Sequence, residues 1–209
     1  FTDPEILRSS LAGVILRMKA LHLGAVEDFA FLEEPQRRAI TDGYQLLSEL
    51  GAVDEANELT RIGQTLSRLP LDPRVGRILL EAQQRGALDE VLVIASALSL
   101  QDVRDRPMDK QTQADQAHKK FDDEKSEFTG TLKLWKWLED SRGGHGTDHK
   151  LSHRQYENLL RENYINVRRV REWRDIHSQL HTVVAEHKWP INTAPASYEQ
   201  LHLSMLAGL

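Results

Sequence analysis

Three histidines, His145, His149 and His153, recur at intervals of four with Asp148 among them. On one face of a helix that spacing could bring imidazole nitrogens around a zinc ion. Gly143, Gly144 and Gly146 argue against a helix there, and Ser152, placed as an N-cap, leaves His145 and His149 outside the helix that follows. The expectation is a solvated histidine loop with no resident metal. A second constellation is basic. Lys150, Arg154, Arg161, Arg168, Arg169, Arg171 and Arg174 face only Glu157, Glu162 and Glu172 within residues 150–174, a local charge of +4 on a chain whose net charge is −5. Arg154, Arg161 and Arg168 are seven apart, and Arg168, Arg171 and Arg174 three apart. A continuous helix is expected to gather the last three into a stripe beside the apolar face of Val170, Trp173 and Leu180. Cations so placed can contact the phosphates of a single nucleic-acid strand without reading its bases. The opposing expectation is a solvated face held by pairs such as Glu157–Arg161 and Arg171–Asp175. Lys150, Arg154, Arg161, Arg168, Arg171 and Arg174 form the expected nucleic-acid-binding set.

Other chemistry is thin. The sequence contains no G-x-x-x-x-G-K-[ST], so it offers no backbone cradle for a triphosphate, and no DEAH tetrapeptide for Mg²⁺. Asp89-Glu90 reads as a complement to a helix dipole in its first turn. No catalytic residue and no cofactor are expected in these residues, and with no cysteine there is neither disulfide nor thiolate chemistry. Arg104, Arg106 and Lys110 could face nucleic acid, but Asp102, Asp105 and Asp109 alternate with them, as in a solvated loop. Trp135 and Trp173 fall on apolar faces and read as core. Trp137 lies off that face and is a candidate for base stacking.

The elements that must position these groups are helical. A length of 209 residues, 40% hydrophobic and 28% charged, suits one large or two small cores, and no apolar run is long enough to span a membrane. The abrupt start at Phe1, with Met18 the first methionine, reads as a piece of a longer protein, and the absence of cysteine fits a cytoplasmic setting. Thr2 and Glu5 have capping-box spacing ahead of Leu7, Leu11, Val14, Ile15, Met18 and Leu21. Pro35 begins a second helix with Ile40, Tyr44, Leu47 and Leu50, ended by Gly51, and Ala52–Leu59 predicts a small β-hairpin. Thr60 then caps a short helix stopped by Pro70, and Asp72-Pro73 opens the next. Leu88–Leu100 is apolar on nearly every side, a buried central helix. Residues 101–127 read as an exposed connection with one short helix. Beyond it come an apolar face on Phe128, Leu132, Trp135 and Leu138, a capped helix after Ser152, and a long helix through Trp173 to Val183. A last helix begins near Tyr198.

PEILRSSLAGVILRMKAL from Pro4 to Leu21, LTRIGQTLSRLPLDP from Leu59 to Pro73, and ASALSLQDVRDRP from Ala95 to Pro107 appear in that order. The ordered set resembles the helicase-associated region of DEAH-box RNA helicases. ENYINVRRVREWRDIHSQL from Glu162 to Leu180 looks most like the bacterial HrpA branch. One segment departs from the pattern: FDDEKSEFTGTL from Phe121 stands where most members carry a histidine-glycine-aspartate motif.

The resemblance implies a mainly α fold: a winged-helix domain with a small β-hairpin over residues 1–72, then a ratchet-like helical bundle over 73–209. It implies an accessory fragment of an ATP-dependent helicase, packed on the motor domains of the same chain and lining a channel for single-stranded RNA. ATP and Mg²⁺ would belong to those motor domains, and the fragment alone would be inactive. Two rivals stand beside it: a winged-helix DNA-binding regulator, and a docking scaffold that does not touch RNA. The wing residues Asp54, Glu55 and Glu58 are acidic, which disfavours the regulator.

Overall fold

The computed structural model describes residues 11–25, 34–143 and 150–209. Ten α-helices occur among them: α1 (Leu11–Ala20), α2 (Glu34–Glu49), α3 (Arg61–Ser67), α4 (Pro73–Arg85), α5 (Leu88–Leu98), α6 (Gln111–His118), α7 (Glu127–Ser141), α8 (His153–Glu162), α9 (Val167–Glu186) and α10 (Tyr198–Leu206). The expected capping box at Thr2 and Glu5 lies outside the described residues.

The chain forms two compact units, residues 1–91 with 183–209, and residues 92–182. In the first unit α1 packs on α2 and α3, and α4 packs on α3 and α10. Local chemistry explains the boundaries. The Thr60 hydroxyl accepts from the Gly63 N–H at 3.1 Å and donates to the Gly51 carbonyl, so one side chain starts α3 and closes the turn after α2. Asp72 accepts from the Arg74 N–H at 3.0 Å, with Pro73 as the first residue of α4. Gly63 admits the closest approach in this unit: a Cβ there would lie 2.0 Å from the Ala52 carbonyl oxygen.

The expected β-hairpin does not form as strands. Among the described residues it reduces to one isolated antiparallel bridge, Val53 to Leu59. The Asp54 carboxylate turns inward and accepts from the N–H groups of Ala56 and Glu58, both at 2.9 Å. An Asx-type turn of this kind uses backbone donors that a ladder would need, and leaves too few residues to extend one.

The C-terminal segment returns to the first unit. Glu90, in the first turn of α5, accepts from Asn192 Nδ2 at 2.7 Å and from the Ala196 N–H at 2.9 Å. The Asn192 side-chain oxygen accepts from the Asp89 N–H at 2.8 Å. Ser197 and Gln200 then form a capping box that opens α10, whose Leu201 and Met205 are buried.

The second unit has a core of Val93, Val103, Phe121, Leu134, Leu138, Leu160, Ile165 and Trp173. Residues 101–127 are anchored more firmly than an exposed connection requires. Val103, Ala114 and Phe121 are buried, and Arg104 bridges to Ile165. The Asp105 N–H donates to the Tyr164 carbonyl and the Asn166 N–H to the Val103 carbonyl, each at 2.7 Å. Tyr164, at φ +54°, makes the turn that separates α8 from α9.

Candidate nucleic-acid interface

The basic residues occupy α8, α9 and the approach to α8, all within the second unit. Ser152 and Gln155 form the expected capping box, which sets the start of α8 and the phase of its side chains. Tyr156 and Leu160 face inward, so Arg154 and Arg161 face out. On α9, Val170, Trp173, Ile176 and Leu180 are buried, and Arg168 and Arg171 lie away from them.

Glu157 joins the two helices. Its carboxylate receives Arg161 at 3.4 Å and His153 at 3.0 Å from α8, and also the Arg171 guanidinium from α9. Arg161 and Arg171 thus converge on one acid, with Arg154 on the same face of α8 as Arg161. Arg171 takes Glu157 across the helices and not the expected Asp175. Arg168 pairs with Glu172 at 3.3 Å yet keeps 88% of its side chain exposed. Lys150 and Arg154 are exposed and make no ion pair with a described residue.

Arg174 leaves the stripe. Its side chain is only 17% exposed, against 60% for Arg171. It reaches Glu139 on α7 at 3.2 Å, donates to the Tyr156 hydroxyl at 3.0 Å and lies 5.7 Å from the Tyr156 ring centroid. Steps of three fall about 60° short of a full turn on a helix of 3.6 residues per turn, so Arg174 sits about 120° round from Arg168. The rotation carries it toward α7 and α8. Burial of Tyr156 in this contact pushes its hydroxyl pKa up to about 12, with Arg142 opposing the rise. Arg169 is also committed, donating to the Asp102 carbonyl at 2.9 Å.

The other candidates are occupied or lie elsewhere. Arg104 forms a forked pair with Asp102, and Arg106 does the same with Asp115 at 2.8 and 2.9 Å. Burial would raise the Asp102 pKa, but the hydrogen bonds and charge of Arg104 outweigh it and hold the carboxyl low. Trp173 is buried, and Trp135 packs on it with centroids 4.9 Å apart. The Trp137 ring meets Phe121 edge-on at 5.2 Å and has Lys120 Nζ 4.7 Å from its centroid, so its faces are partly used. Of the expected histidine loop, His145, Asp148 and His149 lie outside the described residues, and His153 is the partner of Glu157. No cluster of three or more potential metal ligands occurs among the described residues.

The roles of Arg174, Arg169 and Glu90 are not evident from sequence, since each depends on a partner at least 35 positions away. The acidic spacing Glu157–Arg161 is the one local signal of the hub.

Residues 44–71 match the family described as helicase associated domain (HA2), winged-helix, and residues 72–133 the family described as helicase associated domain (HA2), ratchet-like. Residues 44–133 of this chain are thus HA2 helicase-associated domains. The whole chain is 48% identical over 214 residues to the ATP-dependent RNA helicase HrpA of Escherichia coli (strain K12), and 42% identical over 216 residues to the HrpA homolog of Haemophilus influenzae. Each alignment covers all of this chain and 16% of the relative, so the chain spans about one sixth of the length of the proteins it matches. The two family matches abut at Leu71 and Asp72, the cap of α4, whereas the compact units divide within α5 and α9. No described helix is long and apolar enough to cross a membrane.

Proposed function

We propose that this HA2 region is the accessory part of a cytoplasmic, ATP-dependent RNA helicase of the DEAH-box type. In this reading residues 1–72 act as the winged helix and 73–209 as the ratchet-like bundle. Both pack on motor domains of the same chain, which bind ATP and Mg²⁺ and carry out hydrolysis. The HA2 region supplies one wall of the path for single-stranded RNA. Lys150, Arg154, Arg161, Arg168 and Arg171 contact its phosphates, and Arg174 holds α9 against α7 and α8 so that the others stay in place.

The observation that carries this reading is the convergence of exposed cations from α8 and α9 around Glu157. The arginine ends of these pairs are about 60% exposed, although Glu157 is only 17% exposed. A pair with a solvated arginine is worth only about 0.2–1 kcal/mol, so a phosphate can compete with the carboxylate for it. The acidic wing, with Asp54 turned into its own loop, offers nothing to a duplex groove and disfavours the DNA-regulator reading.

The test is a salt series of single-stranded RNA binding in the full-length protein. Reversing charge at Arg168 and Arg171 is expected to weaken binding and to flatten the salt slope by about 0.7 for each phosphate that is no longer neutralised. Arg174→Ala is expected to lower the melting temperature first. Unchanged affinity in the Arg168/Arg171 double variant, with the fold intact, would leave the docking-scaffold reading in its place.

A further inference from the structure

Within the second unit, a groove of about 540 Å³ opens between the C-terminal end of α5, the 101–126 segment and the start of α7. Leu98, Leu100 and Phe128 are the apolar side chains that reach its surface, and the buried Trp173 lies beneath them. Leu98, the last residue of a helix that is otherwise buried along most of its length, is 54% exposed at this opening. The rim is acidic, with Asp102, Asp122, Asp123 and Glu127 around the opening. Arg104 is the one cation among these lining residues, and its fork is taken by Asp102. Asp123 is met by Lys133 at 3.3 Å. The Asp122 and Glu127 carboxylates are on exposed residues and make no ion pair with a described residue. Asp102, Asp122 and Glu127 together raise the Arg104 pKa, which registers the negative field at this rim.

We propose that this groove is a docking site for a basic amphipathic helix of a protein partner, whose apolar side chains cover Leu98 and Phe128 while its lysines and arginines meet Asp122 and Glu127. The charge at the rim selects the occupant. Unpaired carboxylates repel a phosphate backbone, so RNA is disfavoured here, and an acidic or neutral helix would leave both carboxylates without counter-charge. An apolar floor with charged edges is what a helix laid in a groove uses, through anchors at i, i+3 or i+4, and i+7. The proposal is independent of the RNA reading, because it concerns a different surface and the opposite charge.

The test uses the full-length protein with methyl-labelled leucine, a short synthetic leucine–lysine helical peptide as the probe, its leucine–glutamate counterpart and single-stranded poly(U) as comparisons, and leucine methyl NMR shifts as the readout. The lysine peptide is expected to shift the methyl resonances of Leu98, Leu100 and Leu134. Asp122→Lys/Glu127→Lys is expected to weaken it by about fivefold or more at low salt, and Leu98→Ser to weaken it with no loss of thermal stability. Glu55→Lys/Glu58→Lys, on the acidic wing, should leave the affinity unchanged. The proposal is overturned if the glutamate peptide binds equally well, if poly(U) shifts the same groove resonances, or if the rim reversal weakens binding no more than the wing reversal does.

Discussion

The indole N–H of Trp173 donates to the Val93 carbonyl at 3.1 Å and lies 3.0 Å from the Ser96 hydroxyl, joining α9 to α5 across 80 positions of sequence. Ser96 is itself buried and directs its hydroxyl at the carbonyls of Leu92 and Val93, each at 2.8 Å. The large apolar ring fills the core, and its single polar atom is satisfied there, so the same residue supplies packing and register.

Truncating this residue should therefore be severe. Trp173→Ala is expected to cost about 3–5 kcal/mol, and Trp173→Phe less, because much of the ring volume is kept while the hydrogen bond goes. Urea denaturation followed by far-UV circular dichroism measures both. A Phe variant as damaging as the Ala variant would show that the hydrogen bond, and not the volume, dominates.

Glu90 makes a comparable long-range tie through Asn192 and Ala196. Glu90→Ala is expected to cost about 1–3 kcal/mol, since it leaves the Ala196 N–H without its acceptor and the Asn192 amide with only the Ala194 carbonyl. Limited proteolysis should cut the 187–197 segment faster in that variant. Glu90→Gln keeps one acceptor oxygen and should give an intermediate rate.

Gly63 tolerates no side chain where it stands. Gly63→Ala places its methyl 2.0 Å from the Ala52 carbonyl oxygen, so α3 must move from the turn it packs on. The expected loss is about 1–3 kcal/mol, read as a lowered melting temperature. The second unit's core is distant in sequence and belongs to a separate compact unit, so its tryptophan fluorescence in the folded state should stay the same.

Protonation of His177 opposes folding. Burial against Trp135, with ring centroids 4.7 Å apart, lowers its pKa below the ordinary 6.5; His181 adds to this and Glu139 partly offsets it. The unfolded chain then binds the proton more readily than the folded one. Stability contributed by neutral His177 is whole above about pH 6.5 and is lost as pH falls through the lower folded value. His177→Gln is expected to flatten this acid limb in melting curves taken between about pH 7 and pH 5. An unchanged limb would assign it to another group.

Much of the helical outline is legible from local signals alone. Thr60, Asp72, Ser152 and the αL glycines Gly51 and Gly86 mark helix ends through contacts within a few residues, and so they read the same in sequence and in structure. The apolar periodicity of α9 likewise predicts its buried face, including Trp173, and the nearly all-apolar run of α5 predicts a helix buried on most sides. The 52–59 segment reads as a hairpin, and the structure keeps its reversal, with the Asp54 N–H donating to the Glu58 carbonyl and the Thr60 N–H to the Ala52 carbonyl. An Asx turn at Asp54 takes the Glu58 N–H, however, and no strand extends from it among the described residues.

The candidate interface divides in the same way. Residue types and spacing determined that cations cluster between Lys150 and Arg174, because charge and sequence separation are properties of the chain itself. Which of them face solvent was decided by tertiary structure. The helix phase turns Arg174 onto Tyr156 and Glu139, the packing of α8 beside α9 brings Arg161 and Arg171 to one carboxylate, and Arg168 is left in water. An ion pair between helices depends on an approach that no single helix encodes, and burial depends on what the rest of the chain brings alongside.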